Sequence, residues 1–325
     1  MRKLAWTALN LGRKLKFHQL QVFDRVLETG SLVRAANETG LTQPAVSKIV
    51  HELEACFEGP LFVRSNRGMQ PTELGELLGH RVKSLMAELR YLTDEVNAFS
   101  AGTSGHVIVG TLISAAADLL PRTIAMLKEH TPGVRVTVRE ATTAQLFPAL
   151  ASGDLDIVVG RLPERSLPVA NAFALTHEIL FNESLSVIGG KRHWTHMPER
   201  VPLAQLRDGG WILPVPESPS RLAAERLFHD AGLALPEDVV ESLSVLTNIG
   251  LMLETPRVAL MPRAAATPFV ESGLLRVLAD TMPGSFGDVG YSLRADKSPS
   301  PACARFVACL REACGLAPES IHRHP

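Results

Sequence analysis

One run of apolar residues constrains this chain more than any other feature. Leu74, Leu78, Val82, Leu85, Leu89, Leu92, Val96 and Phe99 follow one another at intervals of 4, 4, 3, 4, 3, 4 and 3 residues. Between them lie polar residues such as Arg81, Lys83, Glu88, Arg90, Asp94 and Glu95. The spacing predicts a helix of roughly 28 residues, about 42 Å long at 1.5 Å per residue. A near-heptad seam of this kind pairs with a second copy; the alternative is a helix packed on its own domain. Pro71-Thr72 opens the run, and Ser100-Ala101-Gly102-Thr103-Ser104-Gly105 follows it as a linker by composition. The chain is thereby split into a small front part and a larger rear part.

In the front part the helical spacing comes in short pieces. Phe17, Leu20, Phe23 and Leu27 recur at three or four residues. Gly30 is expected to end that helix and Ser31 to cap the next, where Leu32, Ala35 and Ala36 allow close helix–helix approach. After a turn at Thr39-Gly40-Leu41, Thr42 is placed to cap a third helix, with Pro44 in the first turn where a missing N–H does no harm. Val46, Ile49, Val50 and Leu53 form its apolar face; Gln43, Ser47, Lys48 and His51 form its polar face. Two short helices across a tight turn make a helix-turn-helix. Phe62-Val63 and Arg64-Ser65-Asn66-Arg67-Gly68 then read as a two-stranded wing with a basic tip.

Past Gly105 the pattern changes class. Strands are expected at His106–Thr111, Val134–Glu140 and Leu155–Gly160, alternating with helices at Asp118–His130 and Thr143–Ala151. A second lobe is expected to begin near Leu175–Ser184. Its strands would be Leu185–Gly189, Gly210–Leu213, Val239–Ser242 and Val258–Met261, with helices around Ser220–Ala231 and Leu246–Glu254. Leu274–Leu278 and Val289–Arg294 resume strand character before an amphipathic helix at Pro301–Cys314, and this last portion is expected to return to the first lobe. Such alternation implies βαβ units with parallel sheets, and two lobes leave a cleft where small ligands bind.

Charge sharpens the division. Residues 1–71 hold ten Lys/Arg against six Asp/Glu, a balance of +4, and the remainder carries −5. Arg2, Lys3, Arg13, Lys14 and Lys16 all precede the first acid, Asp24. A basic arm of this kind meets polyanions or is a solvated tail. With 46% hydrophobic residues the chain is not disordered, and no apolar run approaches the roughly 18 residues of a membrane span. The opening segment lacks a signal-peptide pattern, and Cys56, Cys303, Cys309 and Cys314 show no metal or redox spacing. A cytoplasmic protein with reduced thiols is expected.

The run FHQLQVFDRVLETGSLVRAANETGLTQPAVSKIVHELEACFEGPLFVRSNRGMQPTELG resembles the N-terminal domain of LysR-type transcriptional regulators. The matching residues are Ala35-Ala36, Thr42-Gln43-Pro44-Ala45-Val46-Ser47, Leu53-Glu54, Leu61-Phe62, Arg64, Arg67, Pro71-Thr72 and Gly75. Thr39 and Glu58-Gly59-Pro60 depart from the usual pattern. Leu120-Pro121, Pro132-Gly133-Val134 and Gly153-Asp154-Leu155-Asp156 resemble that family's effector region, so the likeness spans about residues 16–315. It implies an α/β chain with a winged helix-turn-helix, a long linker helix and a two-lobed effector domain like the periplasmic binding proteins. The expected domains are 1–71, 72–101 and 102–325.

Site expectations follow from chemistry and from that resemblance. Gln43 can bond adenine with two hydrogen bonds, Ser47 can reach a base or phosphate, and Lys48 suits guanine or phosphate. Arg34, Thr42 and Pro44 complete the DNA-facing surface, with Arg64 and Arg67 on phosphate or in the minor groove; Arg64 alternatively is a buried structural arginine. For the effector, the resemblance points to the turns holding Ser114, Thr142 and Thr143 and to Pro214, with Thr247 and Asn248 at a helix start. Ser114 and Thr143 are explained equally well as plain N-caps. The run SLSVLTNIGLMLE is similar to a branch regulating sugar uptake and aromatic catabolism. Asp154 and Asp156 alternate on a strand and are expected to be structural.

No nucleophile elbow, dinucleotide fingerprint, P-loop or H-E-x-x-H occurs, so no catalytic residue, metal or cofactor is expected. The expected partners are double-stranded DNA, a small effector such as a sugar or organic acid, a second or fourth copy of the chain, and RNA polymerase, but no membrane. The alternative is a metabolic enzyme or solute-binding protein carrying a DNA-binding head.

Overall fold

The computed structural model describes residues 11–12, 14–65, 68–101, 105–163, 174–216, 218–281 and 286–316. Most of the basic arm, and Asn66 and Arg67 of the wing, lie outside them. The chain forms two compact units, Met1–Thr93 with Ser152–Asp154, and Asp94–Ala151 with Leu155–Pro325.

The first unit opens with three helices, α1 (Phe17–Thr29), α2 (Leu32–Thr39) and α3 (Gln43–Phe57). Gly30 ends α1 with φ +60°, its N–H bonding to Val26 O at 2.9 Å. Ser31 Oγ caps α2 by accepting from Arg34 N, and Thr42 Oγ1 caps α3 by accepting from Ala45 N, each at 3.4 Å. Ala35 and Ala36 are buried among Phe23, Val26, Val46, Val50 and Leu53, which lets α2 approach its neighbours closely. The hairpin β1 (Phe62–Ser65) and β2 (Gly68–Pro71) follows, paired Phe62↔Pro71 through Ser65↔Gly68. Glu54 Oε1 accepts from Leu61 N at 2.9 Å and so ties the wing to α3. Burial, with Glu28 nearby, raises the pKa of Asp24 in this core to about 6.

Helix α4 (Glu73–Ala101) is the long helix the spacing predicts, but its seam is not uniform. Leu74 and Leu78 are partly buried and Val82 is fully buried in the core of the first unit. Leu85, Leu89, Leu92 and Val96 stand 40–56% exposed. The single seam therefore divides: its first turns serve the chain's own domain, and only the later ones are left for a partner. The side chain of Phe99 lies outside those described.

The second unit begins with β3 (Gly105–Thr111), α5 (Ile113–Ala116), α6 (Leu119–His130), β4 (Val134–Glu140), α7 (Thr143–Ser152) and β5 (Ile157–Arg161). Next come β6 (Leu175–Glu183), β7 (Leu185–Gly190), α8 (Lys191–Trp194), α9 (Leu203–Arg207), β8 (Trp211–Leu213), α10 (Pro219–Asp230) and β9 (Val239–Glu241). The rest is α11 (Val245–Glu254), β10 (Val258–Pro262), α12 (Arg263–Glu271), β11 (Leu275–Asp280), β12 (Gly287–Arg294) and α13 (Pro301–Ala313).

These strands form two five-stranded sheets, ordered β4-β3-β5-β12-β6 and β11-β7-β10-β8-β9. Fully buried strands explain the runs of consecutive apolar residues in both. In β3, Val107 and Val109 meet Leu127, Phe306 and Leu310 on one face, while Ile108 meets Phe147 and Leu150 on the other. In the second sheet, Leu185 and Val187 join Trp211 and Phe228, while Ile188 and Ile212 join Ile249 and Met252.

Three expectations are corrected here. Leu175–Glu183 does not open the second lobe; as β6 it is the edge strand of the first, paired with β12, and the crossover falls at Ser184. Leu275–Asp280 stays in the second lobe, and the return begins only with β12. Neither sheet is wholly parallel, since β12 runs antiparallel to β5 and β6, and β7 runs antiparallel to β10 and β11. A strand that enters a sheet from the other lobe need not obey the right-handed βαβ rule, so its direction is free. No described helix is long and apolar enough to cross a membrane.

Candidate nucleic-acid and effector sites

The first two turns of α3 present a polar surface. Gln43, Pro44 and Lys48 are exposed and Ser47 is half-buried, while Val46 and Val50 on the opposite face are buried. Lys48 Nζ stands 4.0 Å from Glu52, too far and too exposed to hold the ammonium away from another anion. Thr42 is exposed and its hydroxyl already caps α3. Arg34 is exposed, and its guanidinium folds back to donate to Thr29 O. Arg64 is exposed on β1, which removes the reading as a buried structural arginine; Arg67 lies outside the described residues.

Two structural supports of this surface went unread in the sequence. Thr72 N donates to Leu61 O at 3.0 Å and Thr72 Oγ1 to Pro60 O at 2.7 Å. The same hydroxyl accepts from Gly75 N at 3.0 Å, starting α4 against the wing. A Cβ at Gly75 would lie 2.0 Å from Leu61 O, so only glycine fits. The signature residues Pro71-Thr72 and Gly75 thus form a joint between wing and long helix.

In the second unit the proposed effector residues follow the carboxyl ends of parallel strands, where open α/β sheets bind ligands. Ser114 follows β3, Thr142 and Thr143 follow β4, Pro214 follows β8, and Thr247 and Asn248 follow β9. The helix α5, which carries Ser114, lies against α12, which follows β10 of the other lobe. Ala117 packs into the cluster of Ile249, Met252, Ala265 and Ala266.

The N-cap explanation fails for both hydroxyls. Leu112 holds the cap position of α5, and Ser114 lies within the helix. Thr143 is the first residue of α7, whereas Thr142, just before it, donates from its N–H and its hydroxyl to Gln145 Oε1. Because α5 has only four residues, its dipole adds little to anion binding. Ser114 is buried, 2% exposed. Asn248 is 8% exposed, and its Oδ1 is buried without a hydrogen-bond partner among the described residues. Pro214 is buried with its carbonyl already taken by Arg221 at 3.1 Å, and Thr247 is exposed with its hydroxyl bonded to Ser244.

Other polar residues are structural. Asp156 is buried and its Oδ2 accepts from Ile108 N at 2.7 Å, as expected for a structural carboxylate. Glu183, at the first crossover, has its pKa raised by burial, against the backbone N–H groups of Ser184 and Ala264 that it accepts. The four cysteines are free thiols, and burial raises the pKa of Cys309 and Cys314.

A winged helix-turn-helix joined to a two-lobed α/β unit, with polar groups following strand ends in both lobes, defines a ligand-responsive DNA-binding protein. Residues 17–76 match the family model described as a bacterial regulatory helix-turn-helix protein of the lysR family, and residues 100–315 match the LysR substrate binding domain. The chain belongs to the LysR family of transcriptional regulators. It is 32% identical over 297 residues to the HTH-type transcriptional regulator GalR of Pseudomonas putida, covering 90% of this chain and 73% of that one. It is 29% identical over 304 residues to GbpR of Azospirillum brasilense, covering 93% and 88%. Among solved structures, full-length CbnR complexed with its target DNA shares the fold, with a TM-score of 0.64 and 20% identity over 92% of this chain and 100% of that one. Such regulators bind double-stranded DNA and a small effector, form oligomers, and catalyse no reaction. The alternative of an enzyme or solute-binding protein with a DNA-binding head is not favoured.

Proposed function

We propose that α3 reads an operator through Gln43, Ser47 and Lys48, with Arg34, Thr42, Arg64 and Arg67 on the phosphates and Pro44 shaping the approach. The proposed domains are residues 1–71 for DNA, 72–101 for dimerisation and 102–325 for the effector. Exposure of Gln43 and Lys48 on the first two turns of a capped helix supports this reading, because N-terminal residues of a recognition helix meet base edges. Gln43→Ala is expected to lose about 1–3 kcal/mol at the cognate operator while non-specific binding hardly changes. Filter binding or anisotropy on cognate and random duplexes checks this, and equal losses on both would remove Gln43 as a reader.

The effector half rests on one observation, the buried and unpartnered Oδ1 of Asn248. A buried acceptor without a donor costs free energy that a ligand hydroxyl or N–H would recover. A sugar or a hydroxylated organic acid carries such donors, and Ser114, Thr142 and Thr143 offer further polar contacts. The ligand-bound protein acts in the cytoplasm as a homodimer or homotetramer on its operator, where it engages RNA polymerase. Titration calorimetry across sugars, hydroxy acids and aromatic acids should find the ligand, and Asn248→Ala or Ser114→Ala should weaken it by about tenfold. The Asn248 variant should keep parental stability, since its Oδ1 accepts no hydrogen bond among the described residues. Effector binding is expected to change the footprint or bend of the operator complex, because a ligand acts on DNA binding through its different affinity for two conformations of the protein. A confirmed ligand that changes neither footprint, bend nor DNA affinity would overturn this reading.

A further inference from the structure

The edge of the second-lobe sheet holds a notch of about 240 Å³ whose polar lining is mostly arginine. Its floor is β11 from Val277 to Asp280, and its walls are Glu199-Arg200 on one side and Arg263, the first residue of α12, on the other. The β11–β7 register shifts between Val277 and Ala279, so Leu278 is an extra residue in the edge strand. Bulges of this kind bend a strand and re-aim its side chains. The Leu278 carbonyl accepts from Val201 N at 2.8 Å, which fixes the segment bearing Arg200 over the bulge. Arg276 pins the same segment, donating from Nη1 to Trp194 O and from Nη2 to Pro198 O, each at 2.6 Å.

The charges in this notch are unevenly matched. Asp280 Oδ1 accepts from Ser186 Oγ at 2.5 Å and from Arg263 Nη1 at 2.6 Å. Burial pushes the Asp280 pKa up, but these two bonds outweigh it and hold the carboxyl below its ordinary value, so Asp280 and Arg263 form an ionised pair. Arg276 is half-buried, yet both its acceptors are neutral carbonyls that leave its charge uncompensated. Arg200 is exposed and makes no hydrogen bond or ion pair among the described residues; only its longer-range field reaches Asp280. Glu199, also exposed, is the one remaining acid, so three guanidinium groups face two carboxylates.

We infer that this notch binds a compact oxyanion, a phosphate or a small carboxylate, held by Arg200 and Arg276 with Arg263 at its side. Guanidinium forks bond such oxygens in pairs, and a half-buried one strengthens each bond. None of the notch residues is among those assigned to the effector. The position also reaches the lobe junction. Asp280 is followed by Thr281, whose N–H and hydroxyl bond to Leu185 O at the crossover, and α12 leaves Arg263 to lie against α5 of the first lobe. An anion that shares Arg263 with Asp280 therefore acts on the elements that connect the lobes, as a second input beside the effector.

The test uses the full chain in an anion-poor buffer. Inorganic phosphate and succinate are titrated separately by calorimetry, with sodium chloride at matched ionic strength as the control. Saturable binding of either anion beyond chloride is expected, weakened about tenfold or more by Arg200→Ala and partly kept by Arg200→Lys. Arg200 makes no structural bond, so circular dichroism and thermal melting of R200A should match the parent. Arg226→Ala, exposed on α10 away from the notch residues, should leave the anion affinity unchanged. Absence of binding beyond chloride would overturn the site. So would binding that survives Arg200→Ala, or that disappears with Arg226→Ala, because the anion would then sit elsewhere.

Discussion

Leu89→Asp is expected to turn the protein into a monomer that no longer holds its operator. Leu85, Leu89, Leu92 and Val96 are spaced 4, 3 and 4 apart and remain 40–56% exposed in the single chain. Covering the remaining surface of each contributes on the order of 1 kcal/mol per chain. An aspartate in the middle of that stripe replaces one contribution and adds the desolvation of a charge on each helix, a loss of several kcal/mol. One recognition helix reads too few base pairs, so operator binding falls with the dimer. Sedimentation should show the shift, with the spectrum of the second unit unchanged. A Leu89→Asp protein that sediments like the parent would place the contact elsewhere. Val82→Asp, by contrast, should unfold the DNA-binding core itself, because Val82 is already buried there.

The second large effect is expected at Gly75, where two physical rules give opposite signs. Within a helix, alanine is favoured over glycine by about 1 kcal/mol. Here the added Cβ would lie 2.0 Å from Leu61 O and 3.1 Å from Leu61 C, both backbone atoms that cannot swing aside. Relief requires α4 to part from the wing, at the cost of the Thr72 bonds to Leu61 and Pro60. Strain of that kind and two lost hydrogen bonds together come to about 3 kcal/mol or more. Gly75→Ala should therefore lower the melting transition of the DNA-binding unit and weaken all DNA binding, specific and non-specific alike. A more stable Gly75→Ala protein would show the wing joint to be looser than described.

Local signals were legible in the sequence and non-local ones were not. Caps at Ser31 and Thr42, the glycine stops and the buried strands all rest on neighbours within a few residues, and they fall where the spacing puts them. The strand β6 was placed in the wrong lobe because what assigns it is β12, more than a hundred residues later, with Tyr291 opposite Glu178. The helix α12 was missed because Pro268 sits inside a short alanine-rich stretch, which reads as a break. The split of the long seam was invisible for a similar reason: Val82 and Leu89 look alike until the core of the first unit is in place. Among candidate site residues, the sequence could mark Ser114 and Asn248 by position, but only coordinates show that the Asn248 acceptor is buried and unmet.

The interleaving of the lobes bears on the order in which the molecule is made. Every partner in the helix-turn-helix core lies between Leu15 and Met86, so that core can close soon after it emerges from the ribosome. The first lobe cannot, because its sheet needs β12 and its core needs Phe306 and Leu310 from α13. Synthesis at about 5–20 residues per second leaves the front unit folded for many seconds before that lobe is complete. During that interval the apolar stripe of α4 is available to a neighbouring nascent chain. Pairing can then precede completion of the sensor, so chains from one message would assemble with each other ahead of copies already in solution.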